Sequence, residues 1–201
     1  MNEDHYFSAD PAVPFTRQPV VAEVWGHRLS LVSGSGVFAR GRLDIATAVL
    51  FRETEPPVSG RVLDLGCGYG VIGLAVATCS TATAVTGIDV NERAVLLANE
   101  NAASLGLADR YAAVPPGAVP DDATYDEIWS NPPIRIGKDA LHELLLRWFA
   151  HLAPEGRAVM VVGKNLGADS LQRWLGDQGY PTERLASAKG FRVLESRPTA
   201  G

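Results

Sequence analysis

A glycine-rich turn between an apolar run and a helical pattern constrains the fold of this chain more than any other feature. The apolar run ends at Leu65, and glycines follow at positions 66, 68 and 70. A helical pattern comes next, and a second apolar run ends at Asp89. This order is typical of a βαβ unit with two parallel strands, whose ligands bind beyond the carboxyl ends of the strands. The sequence therefore predicts a parallel sheet with a ligand site at this turn.

The same alternation of strand and helix patterns continues along the chain. Strands are predicted at 61–65, 84–88, 110–114, 125–130 and 157–163, and helices at 70–79, 91–105, 139–152 and 168–178. Two closing strands, near 181–187 and 190–196, have no helix between them and predict a hairpin. These patterns predict an α/β fold, with helices on both faces of a mostly parallel sheet that contains one antiparallel strand.

Residues 1–55 have a different pattern. Residues 1–25 are rich in proline and polar side chains and predict an irregular arm docked on the domain. A strand at 27–32, a glycine-serine turn and a second short strand predict a hairpin, and apolar spacing predicts a helix over 42–54. Because 46% of the 201 residues are hydrophobic, we expect one domain over 1–201, with residues 56–201 as its core.

The composition argues against several classes of protein. The two cysteines, Cys67 and Cys79, form no CxxC motif, and the four histidines show no metal-ligand spacing, so neither a disulfide framework nor a metal is predicted. The N-terminus has no apolar signal segment. No apolar stretch reaches the ~18 residues that a membrane span needs. The sequence favours a cytoplasmic protein without a membrane partner.

The turn residues favour S-adenosylmethionine (SAM) over a dinucleotide. Residues 68–73 satisfy the dinucleotide pattern GxGxxG, but a dehydrogenase would place its first glycine directly after the strand, at Gly66. Asp64 would repel a pyrophosphate, whereas it would attract the methionine ammonium of SAM. Asp89 can accept hydrogen bonds from both hydroxyls of a ribose. Cys67 is interpreted as a small residue whose backbone amide, rather than its sulfur, faces the ligand.

The segment Asn131-Pro132-Pro133, directly after the predicted strand 125–130, indicates the chemistry. Pro132 disfavours a helical conformation at Asn131, so a rigid loop follows the strand. The Asn131 side-chain carbonyl and the Pro132 backbone carbonyl can each accept one N–H of a planar amine and aim its lone pair at a methyl group. The alternative is a plain turn, since Asn-Pro and Pro-Pro are common in loops. The upstream glycine turn favours the catalytic interpretation.

The distribution of charge leaves the substrate open. The net charge is −5, which argues mildly against a large nucleic-acid footprint. Residues 131–201, however, carry ten basic and seven acidic side chains. Arg135 and Lys138, which follow the Asn-Pro-Pro segment, either meet phosphate or simply solvate a loop.

Five motifs together resemble the methyltransferase small domain family of class I SAM-dependent methyltransferases. They are GVFARGRLDIAT, VLDLGCGYGVIG, GIDVNERAVLLANENA, SNPPIRIGK and KGFRVLE. The family includes enzymes that methylate the guanine exocyclic amine in small-subunit ribosomal RNA. The resemblance extends from His5 to Glu195 and implies a seven-stranded Rossmann-like sheet with strand order 3-2-1-4-5-7-6.

The resemblance and the motifs together assign the candidate site residues. The predicted cofactor-binding residues are Asp64, Gly66, Cys67, Gly68, Gly70, Asp89, Val90 and Asn131. The predicted catalytic residues at the target nitrogen are Asn131, Pro132, Pro133 and Ile134. Many relatives have an aromatic residue where this chain has Ile134, so stacking on a flipped base is expected from Phe38 or an N-terminal aromatic.

Three functions fit these patterns. The preferred one is a SAM-dependent N-methyltransferase with an RNA partner, acting on a guanine in ribosomal RNA. The second is the same type of enzyme acting on a small molecule or a protein amide, which the acidic charge favours. The third is a SAM-binding or assembly module without turnover. The patterns do not decide the oligomeric state.

Overall fold

Nine strands and five α-helices make up the computed structural model, which describes residues 14–39 and 41–199. In chain order they are β1 (Arg17–Val24), β2 (His27–Gly34), α1 (Ile45–Arg52), β3 (Gly60–Leu65), α2 (Val71–Cys79), β4 (Thr83–Ile88), α3 (Glu92–Ser104), β5 (Tyr111–Val114), β6 (Tyr125–Ser130), α4 (Lys138–Phe149), β7 (Leu152–Gly163), α5 (Ala168–Asp177), β8 (Thr182–Ala188) and β9 (Phe191–Ser196).

Seven of the strands form one sheet in the order β5-β4-β3-β6-β7-β9-β8. Numbered from β3 as the first strand of the core, this is 3-2-1-4-5-7-6, and the predicted order is confirmed. β9 runs antiparallel to both of its neighbours, whereas the pairs from β5 to β7 are parallel. The strand order reverses between β3 and β6, so their carboxyl ends flank the crevice where such folds bind ligands.

Side chains of alternate strand residues supply the two faces of the sheet. In β3, Val62 packs into a cluster with α1, α2 and α3, whereas Leu63 and Leu65 pack into a second cluster with α4 and α5. This alternation follows from the two-residue period of a strand and places helices on both faces, as predicted. None of the helices within the described ranges is both long and apolar enough to cross a membrane.

The N-terminal prediction was wrong in two respects. Residues 17–24 form a strand rather than an irregular arm, and the hairpin turns at Trp25-Gly26 instead of at the glycine-serine segment. Both turn residues have positive φ, 47° and 82°, as a two-residue hairpin turn of type I′ requires. Residues 35–39 are turns and bends. The buried side chains of the hairpin, including Val20 and Leu31, join the cluster around α1, α2 and α3.

Two helix boundaries also differ from the sequence prediction. Helix α1 begins at Ile45 rather than at residue 42, because the Asp44 carboxylate caps it by accepting hydrogen bonds from the amides of Ala46 and Thr47. Helix α4 ends at Phe149, and Leu152 already pairs with Tyr125 as the first residue of β7. Proline and glycine within residues 152–156 hide this early strand start in the sequence.

Candidate active site

Two loops meet at the carboxyl edge of the sheet and form a cleft. The glycine turn follows β3, and the Asn-Pro-Pro segment follows β6. The Ser130 hydroxyl donates a 2.7 Å hydrogen bond to the Leu65 carbonyl, which ties the two strand ends together. A Cβ added to Gly66 would lie 4.0 Å from Pro133 Cδ. The glycine turn and the Asn-Pro-Pro segment therefore lie side by side.

The glycine turn wraps tightly around the end of β4. Gly66, Gly68 and Gly70 have φ values of 72°, 56° and 90°, which residues with a Cβ rarely adopt. Among the described residues, no atom lies within 4 Å of a Cβ added to Gly68, so this part of the chain leaves room for a ligand beside the turn. The amide of Cys67 donates to the Ile88 carbonyl at 2.9 Å and thereby holds the turn. The expectation that this amide faces the ligand is therefore wrong.

Asp89, directly after the end of β4, is hydrogen-bonded to the glycine turn. Its Oδ2 accepts from the Gly68 amide and its Oδ1 from the Asn91 amide, both at 2.9 Å. Burial raises the pKa of the Asp89 carboxyl, and these backbone donors partly offset the effect. Each carboxylate oxygen has a second lone pair, so Asp89 can still accept the two hydroxyls of a ribose. Val90, the next residue, is 48% exposed beside it.

Asp64 is the most unusual charged group in the site. Its side chain is fully buried, and Oδ2 accepts a 2.8 Å hydrogen bond from the Gly73 amide. Oδ1 accepts no hydrogen bond from any described residue. Burial, with a smaller contribution from the charge of Asp89, raises the pKa of Asp64 to about 7. A buried carboxylate with an unused oxygen fits a cationic ligand group such as the ammonium of SAM.

The thiol of Cys67 is neutral. It is buried, and burial raises the pKa of the thiol well above its ordinary value. A neutral buried thiol is a poor nucleophile, so Cys67 has a packing role in this turn. No cluster of three or more metal-ligating side chains exists within residues 14–39 and 41–199.

The Asn-Pro-Pro segment forms a compact turn with its carbonyl groups fixed in direction. Pro133 has φ −75° and ψ 72°, an inverse γ-turn, and the Pro132 carbonyl accepts the Ile134 amide at 2.8 Å. One lone pair of that carbonyl remains for another donor. The Ile134 side chain is half-buried against the cluster around α4 and α5, so it packs against the protein.

Asn131 contacts a helix that the sequence analysis did not connect with it. Its side-chain nitrogen donates to Asp44 Oδ1 at 2.9 Å and to Thr47 Oγ1 at 3.0 Å, both from the start of α1. Asp44 and Thr47 belong to the motif GVFARGRLDIAT, from which no role was predicted for either residue. The Leu-Asp-x-Ala-Thr signal was thus visible, and its contact across 87 residues was not.

The cleft encloses about 330 Å³, part of it open solvent. Its lining combines predicted and unpredicted residues: Phe38, Ala39, Asp44, Thr47, Gly66, Cys67, Gly68, Tyr69, Val71, Ile72 and Asn131. Phe38 is 44% exposed in this lining, where an aromatic can meet a flat base. Of the N-terminal aromatics, Tyr6 and Phe7 lie outside the described residues.

Comparison with known proteins identifies the family. The family model described as the methyltransferase small domain matches residues 28–195. The Bacillus subtilis (strain 168) protein YbxB is 34% identical over 202 residues, which cover 96% of this chain and 98% of YbxB. The ribosomal RNA small subunit methyltransferase C of Pseudomonas aeruginosa (strain LESB58) is 36% identical over 176 residues, covering 84% of this chain. This chain spans about half of that relative, 51%.

A solved structure agrees with the fold. It is the 16S rRNA N2 G1207 methyltransferase RsmC of T. thermophilus, in complex with AdoMet and guanosine, with a TM-score of 0.76 and 23% identity. The match covers 94% of this chain and 52% of that one. The match of the family model and the overall likeness to YbxB extend over nearly the whole described chain. The chain belongs to the methyltransferase small domain family and is a SAM-dependent methyltransferase.

Proposed function

We propose that this protein transfers the methyl group of SAM to the exocyclic amine of a guanine in small-subunit ribosomal RNA. The observation that supports this most directly is the pair of acceptors at Asn131 and Pro132, which lie beside the glycine turn and are held in fixed directions. Relatives named as ribosomal RNA small subunit methyltransferase C support the choice of substrate.

The proposed chemistry depends on positioning. Bound SAM supplies a methyl group on a positively charged sulfur, which is a good leaving group. Asn131 Oδ1 and the Pro132 carbonyl each accept one N–H of the guanine amine, which draws the nitrogen toward tetrahedral geometry and frees its lone pair. A nitrogen–carbon bond forms as the carbon–sulfur bond breaks, and the nitrogen then releases one proton to water. Asp64 and Asp89 hold the two ends of the cofactor, and Phe38 stacks on the base.

Four exposed cations near the cleft support an RNA substrate. Arg135 and Lys138 follow β6, Lys164 follows β7, and Lys189 lies in the turn between β8 and β9. The Lys164 amide donates to the Gly190 carbonyl at 2.8 Å, which brings the last two segments together. We name these four residues the basic rim. Since the carboxyl ends of β6 and β7 and the start of β9 share one edge of the sheet, the basic rim lies at the same edge as the cleft.

The cations of the basic rim make no ion pair with any described residue. By contrast, Arg157 pairs with Glu127 and Glu195 within the sheet, at 3.1 and 3.0 Å. Solvated cations with no protein partner are available to phosphates, and phosphate contacts position a nucleic acid without reading its sequence. The local basic surface thus compensates for the net charge of −5.

Methyl transfer from radiolabelled SAM tests the proposal. The substrates are naked 16S ribosomal RNA, intact small subunits and a metabolite extract, with Asn131→Ala assayed beside the wild type. We expect label in the RNA and a loss of at least about 100-fold in the variant, because it lacks one of the two acceptors. Direct binding of SAM to the variant should weaken far less than turnover does. Equal turnover by both proteins would overturn the mechanism.

A second candidate is methylation of a small molecule or a protein amide, which the net charge of −5 favours. The same assay separates the two functions. If label appears only in the extract or in ribosomal protein, the substrate is a small molecule or a protein rather than RNA. Absence of label despite tight SAM binding would instead indicate a SAM-binding module. The cytoplasmic location expected from the sequence remains a prediction.

A further inference from the structure

We propose that Asp44 and Thr47 are positioning residues that hold the Asn131 amide in the one orientation able to bind a target amine. The inference rests on the proposed role of Asn131 in methyl transfer. It assigns a part in that reaction to α1, which lies outside the strands and loops that carry the cofactor and the Asn-Pro-Pro segment.

The contacts use both hydrogens of the Asn131 side chain. One N–H donates to Asp44 Oδ1 at 2.9 Å and the other to Thr47 Oγ1 at 3.0 Å. Oδ1 of Asn131 accepts no hydrogen bond from any described residue, and Asn131 lines the cleft. The Asn131 side chain therefore presents its only acceptor to the cleft, with no partner among the described residues.

The chemistry of the partners allows one orientation of the amide. A carboxylate without a proton can only accept hydrogen bonds, so the atom that faces Asp44 must be the amide nitrogen. Rotating the amide by 180° would place Asn131 Oδ1 against Asp44 Oδ1, two acceptors without a proton between them. It would also turn the N–H groups toward the target amine, which is itself a donor, and no productive contact could form.

Asp44 is itself fixed in place. The same Oδ1 that accepts from Asn131 also accepts from the amides of Ala46 and Thr47, at 2.9 and 3.1 Å. It is the N-cap of α1, where a negative charge is favourable. The helix is anchored in turn by Val49 and Leu50, which are at most 1% exposed. Asn131 is thus oriented by a rigid element rather than by a mobile side chain.

The charge of Asp44 adds to the effect of its position. A hydrogen bond to an ionised acceptor is stronger than a neutral one, and it polarises the amide so that electron density increases on Oδ1. An amine that is losing its lone pair to a methyl group becomes a better hydrogen-bond donor. Oδ1 then binds the transition state more tightly than the ground state, which is the requirement for faster turnover.

The first test compares Thr47→Val with Thr47→Ser. Valine has the shape of threonine without the hydroxyl, whereas serine keeps the hydroxyl. We expect kcat to fall about 10-fold in Thr47→Val, from the loss of one orienting hydrogen bond, and Thr47→Ser to restore most of it. KM for RNA and the dissociation constant of SAM should change less than about 2-fold. Equal kcat in both variants would overturn the proposal.

The second test asks whether Thr47 acts through Asn131. In an Asn131→Ala background, Thr47→Val should lower kcat no further, because the amide that it orients is already absent. A further 10-fold loss in the double variant would show an independent, structural role for Thr47 and contradict the proposal. If Thr47→Val does not fold, Asp44→Asn replaces it in both tests. This variant keeps the helix cap and removes the charge.

A spectroscopic test separates this inference from the proposed function. The side-chain 15N–1H signals of Asn131 are assigned by their absence in Asn131→Ala. In the wild type we expect two distinct proton shifts with slowed solvent exchange, and in Thr47→Val a shift of at least one proton and faster exchange. Unchanged signals would overturn the positioning role. If the wild type methylates no substrate but these signals respond, the proposed function fails and the orientation of Asn131 stands.

Discussion

At the scale of single residues, ligand binding and stability make opposite demands on Asp64. The carboxylate is fully buried and only one of its oxygens has a hydrogen-bond donor among the described residues. Keeping it ionised without a ligand is costly, and this cost raises its pKa to about 7. A cation bound beside it would remove much of the cost. In the proposed function, Asp64 thus serves ligand binding at the expense of the stability of the free protein.

Asp64→Asn should change how stability depends on pH. The folded pKa of about 7 lies above the ordinary value of 3.8, so the folded state holds this proton more tightly than the unfolded chain. Relative to Asp64→Asn, the free energy of unfolding of the wild type should fall by about 1.4 kcal/mol per pH unit between pH 5 and pH 7 and then level off. Urea unfolding of both proteins from pH 5 to pH 8 measures the difference.

The outcome distinguishes a titrating Asp64 from a permanently charged one. Parallel curves for the two proteins would show that the carboxyl does not titrate in this range. The variant is also expected to bind SAM more weakly at pH 7.5, since it removes the negative charge proposed to face the ammonium.

At the scale of elements, the glycines of the turn and of the helix that follows it are required for different physical reasons. Gly68 has open space beside it and a positive φ, which suits the approach of a ligand. Gly73 instead lies within α2, where an added Cβ would be 2.6 Å from Tyr111 Cε2 and 2.9 Å from Val85 Cγ1. The GxGxxG spacing thus includes a glycine that allows α2 to pack closely on β4 and β5.

Gly73→Ala should destabilise the protein although alanine is the better helix former. The clash with Tyr111 and Val85 costs about 1–3 kcal/mol, which outweighs the gain in helix propensity of ~1 kcal/mol or less. Gly176→Ala in α5 is the matched control, because no atom of the described residues lies within 4 Å of its added Cβ. That variant should be more stable than the wild type by about 0.5–1 kcal/mol. Denaturant unfolding measures both, and a stabilised Gly73→Ala would contradict the packing explanation.

At the scale of the whole molecule, opposite charges are divided between the two halves of the sheet. Residues 61–130, which carry the cofactor side, have three basic and nine acidic side chains, whereas the excess of basic residues lies after the Asn-Pro-Pro segment. In the proposed function, an RNA that approaches from the β7–β9 side would meet the basic rim before it reaches the cleft. Its target base would then enter beside Asn131 while its backbone stays on the cations.

Removing two cations of the basic rim should weaken RNA binding and reduce its dependence on salt. For Lys164→Ala/Lys189→Ala we expect the slope of log K against log salt concentration to decrease in magnitude by roughly 1.5, close to one unit per lost phosphate contact. Arg147→Ala/Arg184→Ala removes the same charge near the opposite edge of the sheet and should change the slope by less than about 0.5. Fluorescence anisotropy with labelled RNA across a salt series measures both. Equal slopes would place the RNA elsewhere.

Much of the core could be predicted because its signals are local. Strand and helix periods, together with glycine and proline at the boundaries, gave most core elements to within three residues, and β6 to the residue. The strand order was implied by the family resemblance and is confirmed. The first strand was missed because its turn uses Trp25 rather than an asparagine or glycine pair. The strained φ of Trp25 is offset by edge-on packing against Phe51 and Trp129, at 5.0 and 5.8 Å, which no local pattern reveals.

The sequence by itself determined the order of the core elements, the glycine turn and the rigid Asn-Pro-Pro loop, since each depends on the conformational limits of a few neighbouring residues. Only the tertiary structure decided how the site is completed. It brought Asp44 and Asn131 together across 87 residues, and it buried Asp64 deeply enough to raise its pKa. Contacts and burial depend on what packs against a residue from distant parts of the chain, so neither is encoded in the residue's own neighbourhood.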